Sequence, residues 1–136
     1  LIIGADSIVS LGDQILEKPK DEQDAQKMLR QLGGQTNTVY SGVAILYNQG
    51  TDTPHVTTFY EATQVEFSTL SDEFIDAYIK SGEPMDKAGS YGIQGLGGGM
   101  VERINGCFFN VMGLPLNHLC RVLSEHPFTN TLRHSS

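Results

Sequence analysis

The chain has 136 residues and a mass of 14.9 kDa, one domain's worth at roughly 100 to 200 residues per domain. Sixteen acidic against nine basic residues give a net charge of −7, and no block of Lys or Arg could trade counterions with a phosphate backbone, which argues against nucleic-acid binding. Leu, Ile, Val and Phe make up about a quarter of the chain, above the ~20% below which charged chains stay disordered, while the longest apolar runs fall far short of the roughly 20 residues of a membrane helix. Cys107 and Cys120 give neither a disulfide framework nor zinc-ribbon spacing. A soluble, non-membrane protein in a reduced cytoplasmic setting is therefore expected.

In chain order, residues 1–5 read as a strand with Asp6 at its carboxyl end. The opening Leu-Ile-Ile-Gly-Ala-Asp has no charged leader and reads as the middle of a fold, so an upstream segment is expected. Asp21 can cap a helix whose Ala25, Met28, Leu29 and Leu32 follow the i, i+3, i+4, i+7 pattern before Gly33 and Gly34 stop it. Residues 36–47 and 55–67 are rich in Val, Thr, Tyr and Phe and predict a long hairpin, with turn residues over 48–54. Ser71 can cap a second helix, stapled by Leu70 and Ile75, that buries Phe74, Ile75, Tyr78 and Ile79 and ends before Gly82 and Pro84. Residues 100–104 predict another strand and 108–111 a short one. Pro115 suits the first turn of a third helix with Leu116, Leu119, Cys120 and Leu123 on its apolar face, ended by Pro127. The domain is expected to run from 1 to 127, with a flexible tail over 128–136. Helices interleaved with strands make the class α/β.

Most standard motifs are absent. There is no Walker A sequence, no Gly-x-Ser-x-Gly elbow and no metalloprotease spacing among the four histidines. The glycine cluster fails the dinucleotide fingerprint, because Met100 stands where the third glycine belongs. His118, Cys107 and Cys120 are given structural roles. What remains is a set of polar residues on specified backbone. Asp6 could act as a base or cap a turn. Lys18 precedes Pro19, which favours an extended backbone that aims the ammonium. Glu83, Asp86 and Lys87 flank a rigid turn just before six glycines within residues 89–99, where close backbone approach is expected. A glycine-lined turn with exposed N–H groups and a lysine can hold phosphates, or be an ordinary glycine loop.

Five segments go further: Gly4-Ala5-Asp6-Ser7-Ile8-Val9, Ile15-Leu16-Glu17-Lys18-Pro19, Gly82-Glu83-Pro84-Met85-Asp86-Lys87-Ala88-Gly89, Tyr91-Gly92-Ile93-Gln94-Gly95 and Asn110-Val111-Met112-Gly113-Leu114-Pro115-Leu116. In order and spacing they resemble the Maf family, over nearly the whole chain to about Leu123. The wording from Ser81 to Lys87 is similar to that of the Maf domain in eukaryotic acetylserotonin methyltransferase-like proteins.

The resemblance implies a mixed central sheet with flanking helices, like the inosine triphosphatase group, and a homodimer. It implies a nucleoside triphosphate pyrophosphatase that releases a nucleoside monophosphate and pyrophosphate, uses Mg²⁺ or Mn²⁺, and clears nucleotide pools. Asp-Lys-Ala-Gly followed by Tyr-Gly-Ile-Gln is the wording of the dTTP and UTP group. By the same resemblance Asp6 is the proton acceptor and Lys18 and Lys87 lie near the triphosphate, while Ser7 and Gln94 are tied to base specificity. Asp6 and Glu83 are the available metal ligands, though Glu83 could equally brace its turn. Ser7 stands where the family usually has threonine and keeps the hydroxyl. The family's opening strand and helix, with their Ser-x-Ser-Pro-Arg-Arg loop, do not appear in this sequence. Without them part of the anion site is missing, and apolar sheet surface is expected to be exposed. Two other readings stay open: a catalytically impaired nucleotide-binding or regulatory module acting through protein partners, and a house-cleaning enzyme with another nucleotide preference.

Overall fold

A computed structural model describes residues 1–48 and 53–125. Among the described residues five strands form one sheet in the order β2-β1-β3-β4-β5, and each pairing is antiparallel. They are β1 (Ile2–Leu11), β2 (Gln14–Leu16), β3 (Thr36–Tyr47), β4 (His55–Phe67) and β5 (Val101–Asn105). Four α-helices accompany them among the described residues: α1 (Glu22–Leu32), α2 (Asp72–Lys80), α3 (Phe108–Met112) and α4 (Leu116–Glu125). The α/β class and the helix-flanked central sheet are as expected. The long hairpin forms β3 and β4, paired from Thr36↔Glu66 to Tyr47↔His55; part of its expected turn, residues 49–52, lies outside the described residues, as do Pro127 and the tail.

Alternation along the strands divides the sheet into two unlike faces. Val9, Val39, Val65 and Phe67 turn inward onto Leu29, Leu32, Ile75 and Ile79 of α1 and α2, forming the main core. Val43 and Ile45 turn inward onto Leu119, with Val122 and Leu123 packed beside them. The residues between them face the other way, and Ile2, Ile8, Tyr40, Leu46, Val56 and Tyr60 are exposed there, Tyr60 by 71%. Exposed apolar sheet surface, expected from the sequence, is thus present on this outer face.

Capping explains where α1 and α2 start. Asp21 accepts the Asp24 N–H at 2.8 Å and Ser71 accepts that of Phe74 at 3.1 Å, each satisfying an otherwise orphan donor. All four expected positions of α1 are buried. In α2 Ile75, Tyr78 and Ile79 are buried, but Phe74 is 41% exposed, since it sits on the flank of the stripe that meets α1. In α4 only Leu119 is fully buried, joined by Val122 and Leu123; Leu116 and Cys120 are exposed, so the buried face is rotated from the expected one.

Two further expectations change. Residues 108–111 are helical, forming α3, because Cys107 and Asn110 are drawn onto Thr63 and the chain must curl to bring them there. The first strand does not stop at Ala5: β1 runs on to Leu11, so Asp6 lies mid-strand and not at a carboxyl end. The short β2 hairpin turns at Gly12, whose φ of +59° suits glycine. β2 pairs only with Val9–Leu11, so among the described residues β1 from Ile2 to Ile8 is paired on one side alone.

Leu29→Ala is expected to cost about 2–5 kcal/mol by leaving a cavity at the α1–sheet contact. Phe74→Ala, at an exposed position, should stay within about 0.5 kcal/mol. Urea denaturation of the two variants checks the orientation of α1 and α2, and equal losses would contradict it.

Candidate functional site

The glycine-rich segment is built on the end of α2. Gly82 adopts a φ of +80° and starts a 3₁₀ turn, Glu83–Asp86, with Pro84 buried at its first positions. Two more short turns follow, Ala88–Ser90 and Leu96–Met100. The Glu83 side chain reaches across them: Leu96 N–H donates to Oε1 at 3.0 Å and Gly97 N–H to Oε2 at 2.9 Å. The Tyr78 hydroxyl donates to the same carboxylate and accepts the Gly92 N–H at 3.0 Å.

The glycines here are required by neighbours. A Cβ on Gly95 would fall on Glu83 Oε1, and one on Gly97 would come within 2.7 Å of the Tyr78 hydroxyl. A Cβ on Gly92 would meet the aliphatic stem of Lys87, which lies across it. The close backbone approach expected from the sequence is therefore real, and its object within the chain is the Glu83 carboxylate. Next to it Ser90, fully buried, holds a φ of +64°, uncommon for a residue with a side chain.

Electrostatics follow this arrangement. Burial, and then the hydrogen bond to Glu83, push the Tyr78 hydroxyl above its ordinary range, so it remains a proton donor. Burial acts to raise the Glu83 carboxyl as well. Hydrogen bonds from Tyr78, Gly97 and Leu96 together with the Lys87 charge outweigh that effect and hold it below the usual value. The hydrogen bond from Lys87 Nζ, at 3.0 Å, and the lysine's charge hold Asp86 low, with a smaller contribution from Lys18.

Between this segment and the inward face of β1 lies a cavity of about 530 Å³, within the range of small-molecule sites. Ser7, Glu83, Lys87 and Gln94 line it, with Val9, Val39 and the stretch from Val111 to Gly113. Four of the six expected site residues thus meet in one place. Lys18 does not line this cavity; it is exposed in a neighbouring groove with Lys20 and Lys27, close enough to act on Asp86. Asp6 does not line it either. One residue from Ser7 on an extended strand, it projects from the opposite face. There it is exposed beside a shallower cavity of about 410 Å³ and accepts the Ser7 N–H at 3.0 Å.

A hard divalent cation is commonly held by one or two carboxylates plus substrate phosphates. Among the described residues no group of three or more His, Cys, Asp or Glu forms a protein cage, so a phosphate-borne ion is the mode that these residues fit. Asp6 presents an exposed carboxylate with one oxygen outside its bond to Ser7. Glu83 has an N–H on each oxygen.

Three residues that sit behind the cavity, Tyr78 bonded to Gly92, Ser41 to Ser7 and Asn110 to Ser41, carried no sequence signal as chemistry. Tyr78 reads as a member of an apolar stripe, Ser41 as one polar residue in a strand, and Asn110 as part of a motif without a role. Ser41 sits at an inward position between Val39 and Val43, and that alternation is the signal that would have found it. His118 Nδ1 lies 2.9 Å from Glu61 Oε2, and its ring packs on Phe59. Cys107 is half-buried, its N–H bonded to Thr63, whereas Cys120 is exposed.

Glu83→Gln is expected to cost about 1–3 kcal/mol at pH 7, because an amide cannot accept both N–H groups as the carboxylate does. A carboxyl held low when folded contributes stability above its unfolded pKa and loses it as pH falls through the folded value. The gap between wild type and Glu83→Gln should therefore close below about pH 4. Denaturation at pH 7 and pH 3 measures it, and a gap independent of pH would contradict the bracing role.

The family model for Maf-like proteins matches residues 1–126. A human protein described as a probable bifunctional dTTP/UTP pyrophosphatase/methyltransferase is 53% identical over 126 residues, covering 90% of this chain and 20% of the human one. A dTTP/UTP pyrophosphatase of Clostridium perfringens strain SM101 is 53% identical over 129 residues, covering 95% of this chain and 66% of its own length. One from Clostridium botulinum strain Eklund 17B is 51% identical over 125 residues, covering 92% and 65%. The chain thus spans a little under two thirds of the bacterial relatives and a fifth of the human one.

Proposed function

This chain belongs to the Maf-like protein family, and from that premise we propose that it carries the nucleotide site of a pyrophosphatase that converts dTTP and UTP to the monophosphate and pyrophosphate. The observation that supports this most is the cavity itself. Ser7, Lys87 and Gln94 come from three separate segments of family wording and line one space of small-molecule size, walled by glycine backbone. In this reading the base lies against Ser7 and Gln94, and the triphosphate runs past Lys87 toward Lys18 in the neighbouring groove. Those two ammonium groups offset repulsion between a polyanion and a chain of net charge −7.

Hydrolysis requires water to attack the α-phosphorus. A P–O bond forms, the bridge to the β-phosphate breaks, and a proton leaves the water. Asp6 is the proposed acceptor of that proton, supported by the family wording from Gly4 to Val9 and by its exposed carboxylate; because it projects from the face opposite the Ser7 cavity, this reading puts the α-phosphate at the edge of β1, which among the described residues is unpaired from Ile2 to Ile8. Asp6, with one carboxylate oxygen outside its bond to Ser7, would help to hold a Mg²⁺ or Mn²⁺, which would supply charge neutralisation to the triphosphate. Glu83 holds the glycine segment in shape. A cytoplasmic nucleotide-pool role and a homodimer complete the reading; among the described residues no helix is long and apolar enough to cross a membrane.

A nucleotide-binding module without turnover is the second reading. It is favoured by the position of Asp6 outside the lining of the Ser7 cavity, and by the lack of any arginine in that lining among the described residues.

The chain is to be incubated with dTTP, UTP and GTP plus Mg²⁺, scoring monophosphate and pyrophosphate separately. Equimolar products from dTTP and UTP are expected, lost on chelation of the metal. Asp6→Asn should lower kcat by about 10²- to 10⁴-fold while nucleotide binding persists. Unchanged turnover would remove Asp6 from the reaction, and binding without pyrophosphate in wild type would favour the second reading.

A further inference from the structure

A pair of hydroxyls, the first half-buried and the second buried, leads from the cavity into the sheet. Ser7 Oγ lies 2.7 Å from Ser41 Oγ, its cross-strand partner in the β1–β3 register. Ser41 is fully buried, and its Oγ lies 3.2 Å from the Asn110 backbone carbonyl oxygen. That oxygen can only accept. Without a proton between them, two oxygens at this distance would set lone pair against lone pair, so the Ser41 proton points to Asn110.

The Asn110 carbonyl cannot easily move away. Asn110 is fully buried, and its Nδ2 donates to the Val39 carbonyl at 3.1 Å and to Thr63 Oγ1 at 3.0 Å. Thr63 is itself held by Cys107, donating to the Cys107 carbonyl and accepting the Cys107 N–H, each at 3.2 Å. The Asn110 carbonyl is also the acceptor for the Gly113 N–H at 3.0 Å, which closes α3. Every contact of Asn110 and Thr63 in the network therefore has one direction, and the Ser7–Ser41 pair alone has two to choose from.

A hydroxyl has a single proton. With Ser41 committed to Asn110, the bond between the serines is filled by the Ser7 proton, and Ser7 turns lone pairs alone toward the cavity. We infer that Ser41 is a positioning residue for base selection: by orienting the Ser7 hydroxyl as an acceptor, it selects a base with a ring N–H, as in uracil and thymine, against cytosine, whose ring nitrogen is itself an acceptor. This rests on the nucleotide reading of the cavity. A site that leaves two acceptors facing one another rejects the wrong ligand more strongly than a missing apolar contact does.

The test is isothermal titration of the chain with non-hydrolysable α,β-imido forms of UTP, CTP and N3-methyl-UTP in Mg²⁺. Wild type should bind the UTP form at least about tenfold tighter than either other ligand. In Ser41→Ala the Ser7 hydroxyl is free to rotate and donate, so the CTP form should come within about threefold of the UTP form while N3-methyl-UTP stays weak. Equal binding of UTP and CTP forms by wild type would overturn the inference without any variant. So would an undiminished UTP preference in Ser41→Ala with a wild-type thermal midpoint. Binding of none of the three would overturn the nucleotide reading and this inference with it, an outcome distinct from binding without discrimination.

Discussion

The geometry of the cavity depends on one carboxylate. Glu83 leaves the chain at the end of α2, and its two oxygens take the N–H groups of Leu96 and Gly97, thirteen and fourteen residues away. A loop with six glycines within eleven residues has a large conformational entropy to lose. Two charge-assisted hydrogen bonds, stronger than neutral ones, offset part of that loss where it is greatest. Tyr78 extends the clasp to Gly92 and ties it to the hydrophobic core, since its ring is buried with Ile75 and Ile79. Lys87 and Gln94 are carried on the segment so fixed. The same carboxylate could have been spent on a metal; its engagement with backbone leaves that task to Asp6 in our reading.

The two faces of the sheet divide the labour. The inward face is apolar at both ends, where α1 and α2 cover one and α4 the other, and polar in the middle, where Ser7, Ser41 and Thr63 stand beside Asn110. Buried polar groups are tolerated only when they are paired, and pairing here runs through α3, whose five residues bring Asn110 onto β3 and β4. Asn110 Nδ2 donates to Val39, Glu61 and Thr63, while among the described residues its Oδ1 is the one acceptor of this group left buried without a partner. A hydroxyl at the mouth of such a network inherits a fixed orientation, which an exposed serine lacks.

Local signals carried most of the fold. Asp21 and Ser71 mark two helix starts because capping is decided within four residues, and Thr36 to Tyr47 reads as a strand because its alternation persists for twelve. Residues 108–111 mislead because two adjacent phenylalanines resemble strand composition, while the reason for the helix, the bonds from Cys107 and Asn110 to Thr63, lies over forty residues away. Three residues carry too little periodicity to mark β2 in the sequence. At the site, the glycine cluster and the residues around Lys87 were legible as a unit, since every one of them lies within a single stretch of chain. The relation of Asp6 to Ser7 was not, although neighbouring residues on an extended strand must face opposite sides; a strand ending at Ala5 concealed it. Ser41 and Tyr78 gave no warning, because a single polar atom in an apolar pattern has no spacing of its own.

The claim on which the rest stands is that the Ser7, Lys87 and Gln94 cavity, shaped by Glu83, is where nucleotide binds. Titrating ¹⁵N-labelled chain with the α,β-imido form of dTTP and following backbone amides tests it most directly. Resonances of Ser7, Gly92, Gly95 and Gly97 should shift together along one saturable curve. Shifts confined to the Lys20 and Lys27 groove, or none at saturating ligand, would contradict it.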